Sequence, residues 1–289
     1  MPPEKHGKTF ATFSSAEIGV AYQQNTNTSK KDNPMTSLKG KIVFITGATS
    51  GIGLACARQF AQQGARLLIA ARREERLQEL STELSSTGTD ALWLMLDVRN
   101  QSAVQTAVDG LPEEWQEIEV LVNNAGLSRG LDTIQEGKLE DWEEMIDTNV
   151  KGLLYISRAV LPGMVSRGNG QVINIGSVAG REVYQKGNVY CATKHAVAAL
   201  TTGMRLDLLG TGVRVTTIDP GLVETEFSVV RFHGDQERAA AVYRGLIPLS
   251  ADDVADAVIY CATRPPHVSV AEMLLFPTAQ ASATQVTRR

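Results

Sequence analysis

From residue 39 onward the chain alternates short apolar runs with longer amphipathic ones. Residues 41–46 read Lys-Ile-Val-Phe-Ile-Thr and run straight into glycines, the pattern of a short buried strand. Similar apolar runs at 66–70, 91–96, 118–122, 171–175, 213–218 and about 269–276 predict further strands, seven in all. Between them, apolar positions recur at helical spacing over 51–63, 73–86, 100–109, 138–147, 150–167 and 188–209. Residues 225–263 read as helical segments around loops. Strands that are apolar throughout, separated by helices, imply a parallel sheet covered on both faces: a doubly wound, Rossmann-type α/β fold in a single domain. Right-handed crossovers then bring the carboxyl ends of the strands to one edge, where ligands bind. No internal repeat or linker interrupts 39–289.

Residues 1–38 break the pattern. They are rich in Ser, Thr, Asn and Gln, poor in Leu, Ile and Val, and keep neither a helical nor a strand period. Such a segment buries too little apolar surface to offset its ordering entropy, so a disordered extension is expected, with a docking arm or a cryptic targeting sequence as the alternatives. A secretory h-region is missing, and the segment has no Arg but contains Glu4, Glu17 and Asp32, unlike an organelle transit peptide.

Composition narrows the class. Of 289 residues, 43% are hydrophobic and 21% charged, which suits a globular chain and excludes low-complexity and collagen-like ones. The net charge of −4 shows none of the basic imbalance of a nucleic-acid-binding domain. No run of ~18 apolar residues suggests a membrane span. The three scattered cysteines make no disulfide framework and point to a reducing, cytoplasmic setting. The four histidines lack metal-ligand spacing.

The first candidate chemistry follows the first strand. In Thr46-Gly47-Ala48-Thr49-Ser50-Gly51-Ile52-Gly53, Gly47 permits a tight turn, Gly51 a close approach of backbone to a pyrophosphate, and Gly53 close helix–strand contact. The following helix would offer its N-terminus to phosphates. A purely structural strand-to-helix turn reads the same way. The second strand ends in Ala70-Ala71-Arg72-Arg73, with no acid for a ribose 2′-hydroxyl. Arg72, helped by Arg73, could grip a 2′-phosphate, which favours NADP(H) over NAD(H); two solvated helix-start arginines are the alternative. Tyr190 and Lys194 share one face of a helix. An unperturbed Tyr titrates near ~10, and a neighbouring cation lowers that value. Ser177, at the end of the fifth strand, could orient a substrate oxygen. Standing alone, the Tyr–Lys spacing also fits a surface pair.

The set does not stand alone. Asn123-Asn124-Ala125-Gly126 follows the fourth strand, Asn149 lies in Asp147-Thr148-Asn149-Val150-Lys151-Gly152, and Pro220-Gly221 follows the sixth strand. In this order and spacing the sequence resembles the short-chain dehydrogenase/reductase family, over about residues 41–276. The resemblance implies that Tyr190 is the general acid/base, that Lys194 holds the nicotinamide ribose and lowers the tyrosine pKa, that Ser177 polarises the carbonyl, and that Asn149 anchors a relay water. It implies that Asn123, Ala125 and Gly126 sit beside the adenosine ribose, Asp97 and Val98 near the adenine, and Val223 and Thr225, after Pro220-Gly221, at the nicotinamide carboxamide. A homotetramer built on the helices at 150–167 and 188–209 is implied as well.

Residues 225–235, together with 111–115, 140–149 and 158–164, resemble a bacterial and yeast subgroup of NADP-dependent 3-hydroxy acid dehydrogenases, also described as serine or L-allo-threonine dehydrogenases. That implies oxidation of a β-hydroxyl on a short carboxylic acid, or reduction of the corresponding semialdehyde. Such a substrate needs a cation near its carboxylate, and Arg231, His233, Arg181 and Lys186 are the candidates. The chain departs from the subgroup at 181–186 and is one residue shorter near Glu224. The alternatives are an NADPH-dependent carbonyl reductase acting on neutral ketones or aldehydes and, remotely, a cofactor-binding protein without turnover.

Overall fold

The structure, a computed structural model, describes residues 35–289. The expectation for the N-terminal extension falls mostly outside these residues. Its last four positions lie inside them and are docked: Leu38 is buried, and the Thr36 backbone N–H donates to the Thr263 carbonyl at 2.8 Å.

Seven strands form one parallel sheet: β1 (Ile42–Thr46), β2 (Arg66–Ala71), β3 (Ala91–Met95), β4 (Ile118–Asn123), β5 (Gly170–Ile175), β6 (Val213–Pro220) and β7 (Glu272–Leu275). Their spatial order is β3-β2-β1-β4-β5-β6-β7. The central strands β1 and β2 are apolar and buried almost throughout because both faces are covered, whereas the edge strand β7 is partly exposed. Val43 and Ile45 of β1 join Phe60, Leu67, Ile69 and Val258 on one side. Ile42 and Phe44 join Leu68, Leu121, Ile156 and Val172 on the other, as the two-residue strand period requires. The first side is covered by α1 (Gly51–Gln62), α2 (Glu74–Ser86) and α9 (Ala251–Ala262), and the second by α3 (Gln101–Asp109) and α5 (Leu153–Arg167). The strand order reverses between β1 and β4, which opens a crevice at the carboxyl ends of the strands.

Two differences from the sequence reading bear on that crevice. The helices expected at 138–147 and 150–167 are joined: α4 (Leu139–Ile146) passes through a π-helical turn at Asp147–Gly152 into α5. Residues 225–263 resolve into α7 (Phe227–Arg231), α8 (Gln236–Ala241) and α9. After β7 the chain folds back over the crevice. There Gln280 Oε1 accepts from the Leu222 N–H at 2.8 Å, and the Ala283 N–H donates to Glu182 at 2.9 Å.

Candidate active site

The crevice holds a cavity of about 450 Å³ that runs from the β1–α1 turn to α6 (Asn188–Asp207) and α7. Its phosphate end is built by the glycine turn. Gly47 and Gly51 adopt φ of 66° and 51°, left-handed values that an L side chain rarely adopts. A Cβ at Gly53 would lie 2.4 Å from both the Gly47 carbonyl and Asn124 Nδ2, so Gly53 supports the turn from behind. Asn124 Nδ2 donates to the carbonyls of Thr46 (2.9 Å) and Gly47 (3.2 Å), locking the turn onto β4. Ser50, the residue before α1, makes no capping bond to the helix; its Oγ accepts from Arg73 Nη2 at 2.9 Å. The first N–H groups of α1 therefore carry no side-chain cap and face the cavity, an arrangement suited to phosphate.

At the adenosine end, Arg72 and Arg73 both line the cavity. Arg72 pairs with Glu144 at 3.6 Å. Arg73 donates to Thr49 Oγ1 at 3.2 Å and to Glu226 at 3.1 Å, besides Ser50. Burial works to raise the Asp97 pKa, but the bonds and charge of Arg99 outweigh it and hold Asp97 below the usual carboxylate range. Thr148, also on the wall, has a buried hydroxyl with no partner. The exposed turn N–H groups, the arginine pair and the orphaned Thr148 hydroxyl fit a dinucleotide that carries a ribose phosphate.

The reacting end lies between β5 and α6. Ser177 follows β5, and its Oγ accepts from the Ala179 N–H at 3.1 Å. Tyr190 and Lys194 project from the first turns of α6 and are both buried. Lys194 Nζ donates to the Ile175 carbonyl at 2.9 Å and lies 6.0 Å from the Tyr190 ring centroid. Burial lowers the Lys194 pKa to about 8, with Asp219 opposing. Burial raises the Tyr190 phenol above its ordinary value, Tyr184 adds to the rise, and Arg231 and the Ser177 hydrogen bond oppose it. The cation found to favour the phenolate here is thus Arg231 rather than Lys194, whose ammonium is turned to the Ile175 carbonyl.

Arg231, the last residue of α7, is the candidate cation that reaches this end. Its guanidinium lies 5.1 Å from the Tyr190 ring centroid, and it donates to Tyr184 Oη at 2.7 Å and Ser128 Oγ at 2.9 Å. The other candidates sit elsewhere. Arg181 turns outward to Asp219 and Glu272 and does not line the cavity, because two carboxylates capture it. Lys186 (φ 63°) borders a small recess behind Tyr190 and Arg231. His233 faces Asp141 at 3.1 Å.

Most of the expected cofactor contacts converge on the cavity: Gly47, Thr49, Ser50, Gly51, Ile52, Asp97, Val98, Ala125, Gly126, Pro220, Gly221, Val223 and Thr225 all line it, with the two arginines. Three expected residues stand behind the wall. Asn123 is buried and bonds Ser157 and Asn174, so Asn124 takes its place on the surface of the cavity. Gly53 supports the turn. Asn149, in the π-helical turn, spends its amide on the Leu127 backbone and Thr193 Oγ1. Tyr184, Glu226, Phe227, Tyr243, Gln280 and Ala283 line the cavity without having been singled out from sequence. Tyr184 lies in the segment that departs from the subgroup, which marks the region but not the residue. Gln280 and Ala283 carry no local signal.

Residues 41–235 match the family described as short chain dehydrogenase. The chain is 49% identical over 243 residues to the NADP-dependent 3-hydroxy acid dehydrogenase of Salmonella typhi, covering 84% of this chain and 97% of that one. It is 49% identical over 241 residues to sulfoacetaldehyde reductase 2 of Chromohalobacter salexigens, covering 83% and 95%. Among solved structures, the closed form of a serine dehydrogenase complexed with NADP+ superposes with a TM-score of 0.81 at 48% identity, covering 86% of this chain and 99% of that one. With the glycine turn, the Ser177–Tyr190–Lys194 cluster and the seven-stranded parallel sheet in one frame, this chain belongs to the short-chain dehydrogenase family.

Proposed function

We propose that the protein is an NADP(H)-dependent oxidoreductase that interconverts a short 3-hydroxy acid of the serine, L-allo-threonine or 3-hydroxypropionate type with its 3-oxo acid or semialdehyde. The observation that carries this reading is the Arg231 guanidinium beside Tyr190 in the same cavity as Ser177. A substrate whose hydroxyl meets Ser177 and Tyr190 then has a cation within reach of its carboxylate. The similarity to a 3-hydroxy acid dehydrogenase and a sulfoacetaldehyde reductase supports the same class, since a carboxylate and a sulfonate each ask for a cation near the reacting carbon.

Bound in the cavity, the nicotinamide supplies or accepts the hydride. The chain's own residues hold the substrate and move the proton. Arg231 pairs with the anionic group and fixes the orientation of the carbon to be oxidised. Ser177 Oγ hydrogen-bonds the substrate oxygen. In oxidation, the Tyr190 phenolate takes the hydroxyl proton as the C–H hydride leaves and the C=O bond forms; in reduction the phenol returns it. Arg231 and the Ser177 hydrogen bond favour the phenolate in a site from which burial would otherwise exclude it.

Residues 39–289 would form the catalytic domain, with the preceding segment dispensable for chemistry. A homotetramer through α5 and α6 is part of the proposal, supported by exposed apolar side chains at Leu154 and Val165 on α5 and Leu206 on α6. The free, buried Cys56, Cys191 and Cys261 support a reducing, cytoplasmic setting. Among the described residues no helix is long and apolar enough to cross a membrane.

The test is a substrate panel: L-serine, L-allo-threonine, 3-hydroxypropionate and sulfoacetaldehyde beside neutral ketones, with NADP(H) and NAD(H). Activity on the anionic substrates with NADP(H) is expected. Activity confined to neutral ketones would reject the Arg231 reading, and equal efficiency with both cofactors would reject the ribose-phosphate site. Tyr190→Phe should lower kcat by about 10²- to 10⁴-fold, the range of a lost general acid/base, with cofactor affinity retained.

A further inference from the structure

The adenosine end of the cavity contains a carboxylate where a phosphate-binding site has least use for one. Glu226 lies just after the Thr225 of the nicotinamide-side loop and lines the cavity. Its carboxylate spans to the start of α2. It accepts from Arg76 Nη1 with both oxygens, at 2.7 and 3.0 Å, and from Arg73 Nη1 at 3.1 Å. Arg73 is the same side chain that holds Thr49 and Ser50 of the glycine turn, and with Arg72 it stands where the second strand ends and the adenosine ribose would be read. Thr225 comes with it: a Cβ on Gly51 would lie 3.2 Å from the Thr225 side chain. Burial works to raise the Glu226 pKa, but the bonds from Arg76 and Arg73 outweigh it, so the carboxylate is an anion at neutral pH.

We propose that Glu226 is a built-in anion that holds the Arg73 site in place of the ribose 2′-phosphate and is displaced from Arg73 when that phosphate binds. Resting on the NADP(H) reading above, it makes Glu226 a determinant of how strongly the enzyme separates NADP(H) from NAD(H). A phosphomonoester brings close to two negative charges and three acceptor oxygens, so it outcompetes one carboxylate at a shared guanidinium. Once the phosphate is seated, the carboxylate faces like charge and withdraws to Arg76, which lies outside the cavity lining. The internal competitor therefore weakens NADP(H) binding. It leaves NAD(H) binding unweakened, because a ribose with a free 2′-hydroxyl does not contest Arg73 and can donate a hydrogen bond to the carboxylate.

This predicts opposite behaviour for the two nucleotide classes. Isothermal titration of the full chain with NADP+, NAD+, 2′-AMP and 5′-AMP reads it without turnover. In Glu226→Gln, which removes the charge and keeps the side-chain shape, the Kd for NADP+ and 2′-AMP should fall by about two- to fivefold, the upper range of one exposed ion pair. The Kd for NAD+ and 5′-AMP should not fall. Glu226→Asp, which keeps the charge on a shorter stem, should lie between. The Glu226 side chain is 46% exposed, so the variants should keep the fold, and an unchanged thermal midpoint checks this. An unchanged or weaker affinity for NADP+ in Glu226→Gln overturns the proposal. So does an equal shift for all four ligands, which would make Glu226 a general strap over the crevice. If the unsubstituted protein fails to bind 2′-AMP, the ribose-phosphate reading falls and takes the proposal with it.

Discussion

Arg231 shows how little a residue's identity says until its neighbours are known. It and Arg181 are equal candidates along the chain, both near residues that close the pocket. Folding gives Arg181 to Asp219 and Glu272 and leaves Arg231 among Tyr184, Ser128 and the Tyr190 ring. Arg231→Met keeps the apolar stem and removes the charge. It should lower kcat/KM for 3-hydroxy acids by about 10- to 100-fold, the value of a hydrogen bond to a charged group, while neutral ketones lose much less. Equal losses on both substrate classes would show that Arg231 acts only through the fold. Lys194 makes a second prediction. Its folded pKa of about 8 lies below the unfolded value of 10.5, so between these values the unfolded chain binds more protons. The neutral amine's contribution to stability is fully present above 10.5 and is lost as pH falls through about 8. Chemical denaturation of the apoprotein should therefore show wild type gaining on Lys194→Met between pH 8 and 10.5. A constant gap would contradict the buried amine. Ser177, Tyr190 and Lys194 were legible in the sequence because they stand in an ordered set of motifs that resembles a family, whereas the Tyr–Lys spacing alone also fits a surface pair. The direction of the Tyr190 shift was not, because burial and Arg231 arrive from distant segments.

At the scale of elements, the glycine turn joins sequence to site most directly. Gly47 and Gly51 need left-handed backbone, and Gly53 needs the absence of a Cβ. A methyl at Gly53 meets the Gly47 carbonyl and Asn124 at 2.4 Å. Gly53→Ala should thus cost about 1–3 kcal/mol of stability, as other overpacked sites do, and weaken cofactor binding because the turn is pushed outward. Thermal denaturation and cofactor titration check both; a variant as stable as wild type would mean that the turn relaxes freely. The strand and helix positions were readable because their hydrophobic periods are clean. The join between α4 and α5 was not. A π-helical turn adds one residue to a helix without altering its composition, and it is held open here by Asn149 bonding to Leu127 and Thr193, which are remote in sequence.

At the scale of the molecule, both ends of the described chain matter. Thr36 bonds to Thr263, and Leu38 is 3% exposed, so the folded body starts before the boundary at residue 39 drawn from composition. Four residues are too few for a hydrophobic period to register, and their partners are remote in sequence: Thr263 for Thr36, and the core cluster that includes Phe60 and Val258 for Leu38. A chain that starts at Met35 should keep the thermal midpoint and kcat of the full-length protein, whereas one that starts at Lys39 should melt several degrees lower, the effect of roughly 1–3 kcal/mol from one buried Leu. Equal midpoints for the two truncations would show that Leu38 contributes nothing.

The sequence by itself determined the alternation of strands and helices, the parallel sheet, the phosphate turn and the three polar groups of the reacting end. The first three depend on local period or backbone freedom, and the polar groups on the order of motifs along the chain. Only the tertiary structure decided which arginine stands beside Tyr190, that Asn124 rather than Asn123 faces the cavity, that the C-terminal tail supplies Gln280 and Ala283 to its wall, and that Glu226 pairs with Arg73. Those choices rest on charge pairing and packing between segments far apart in the chain, which no local pattern records.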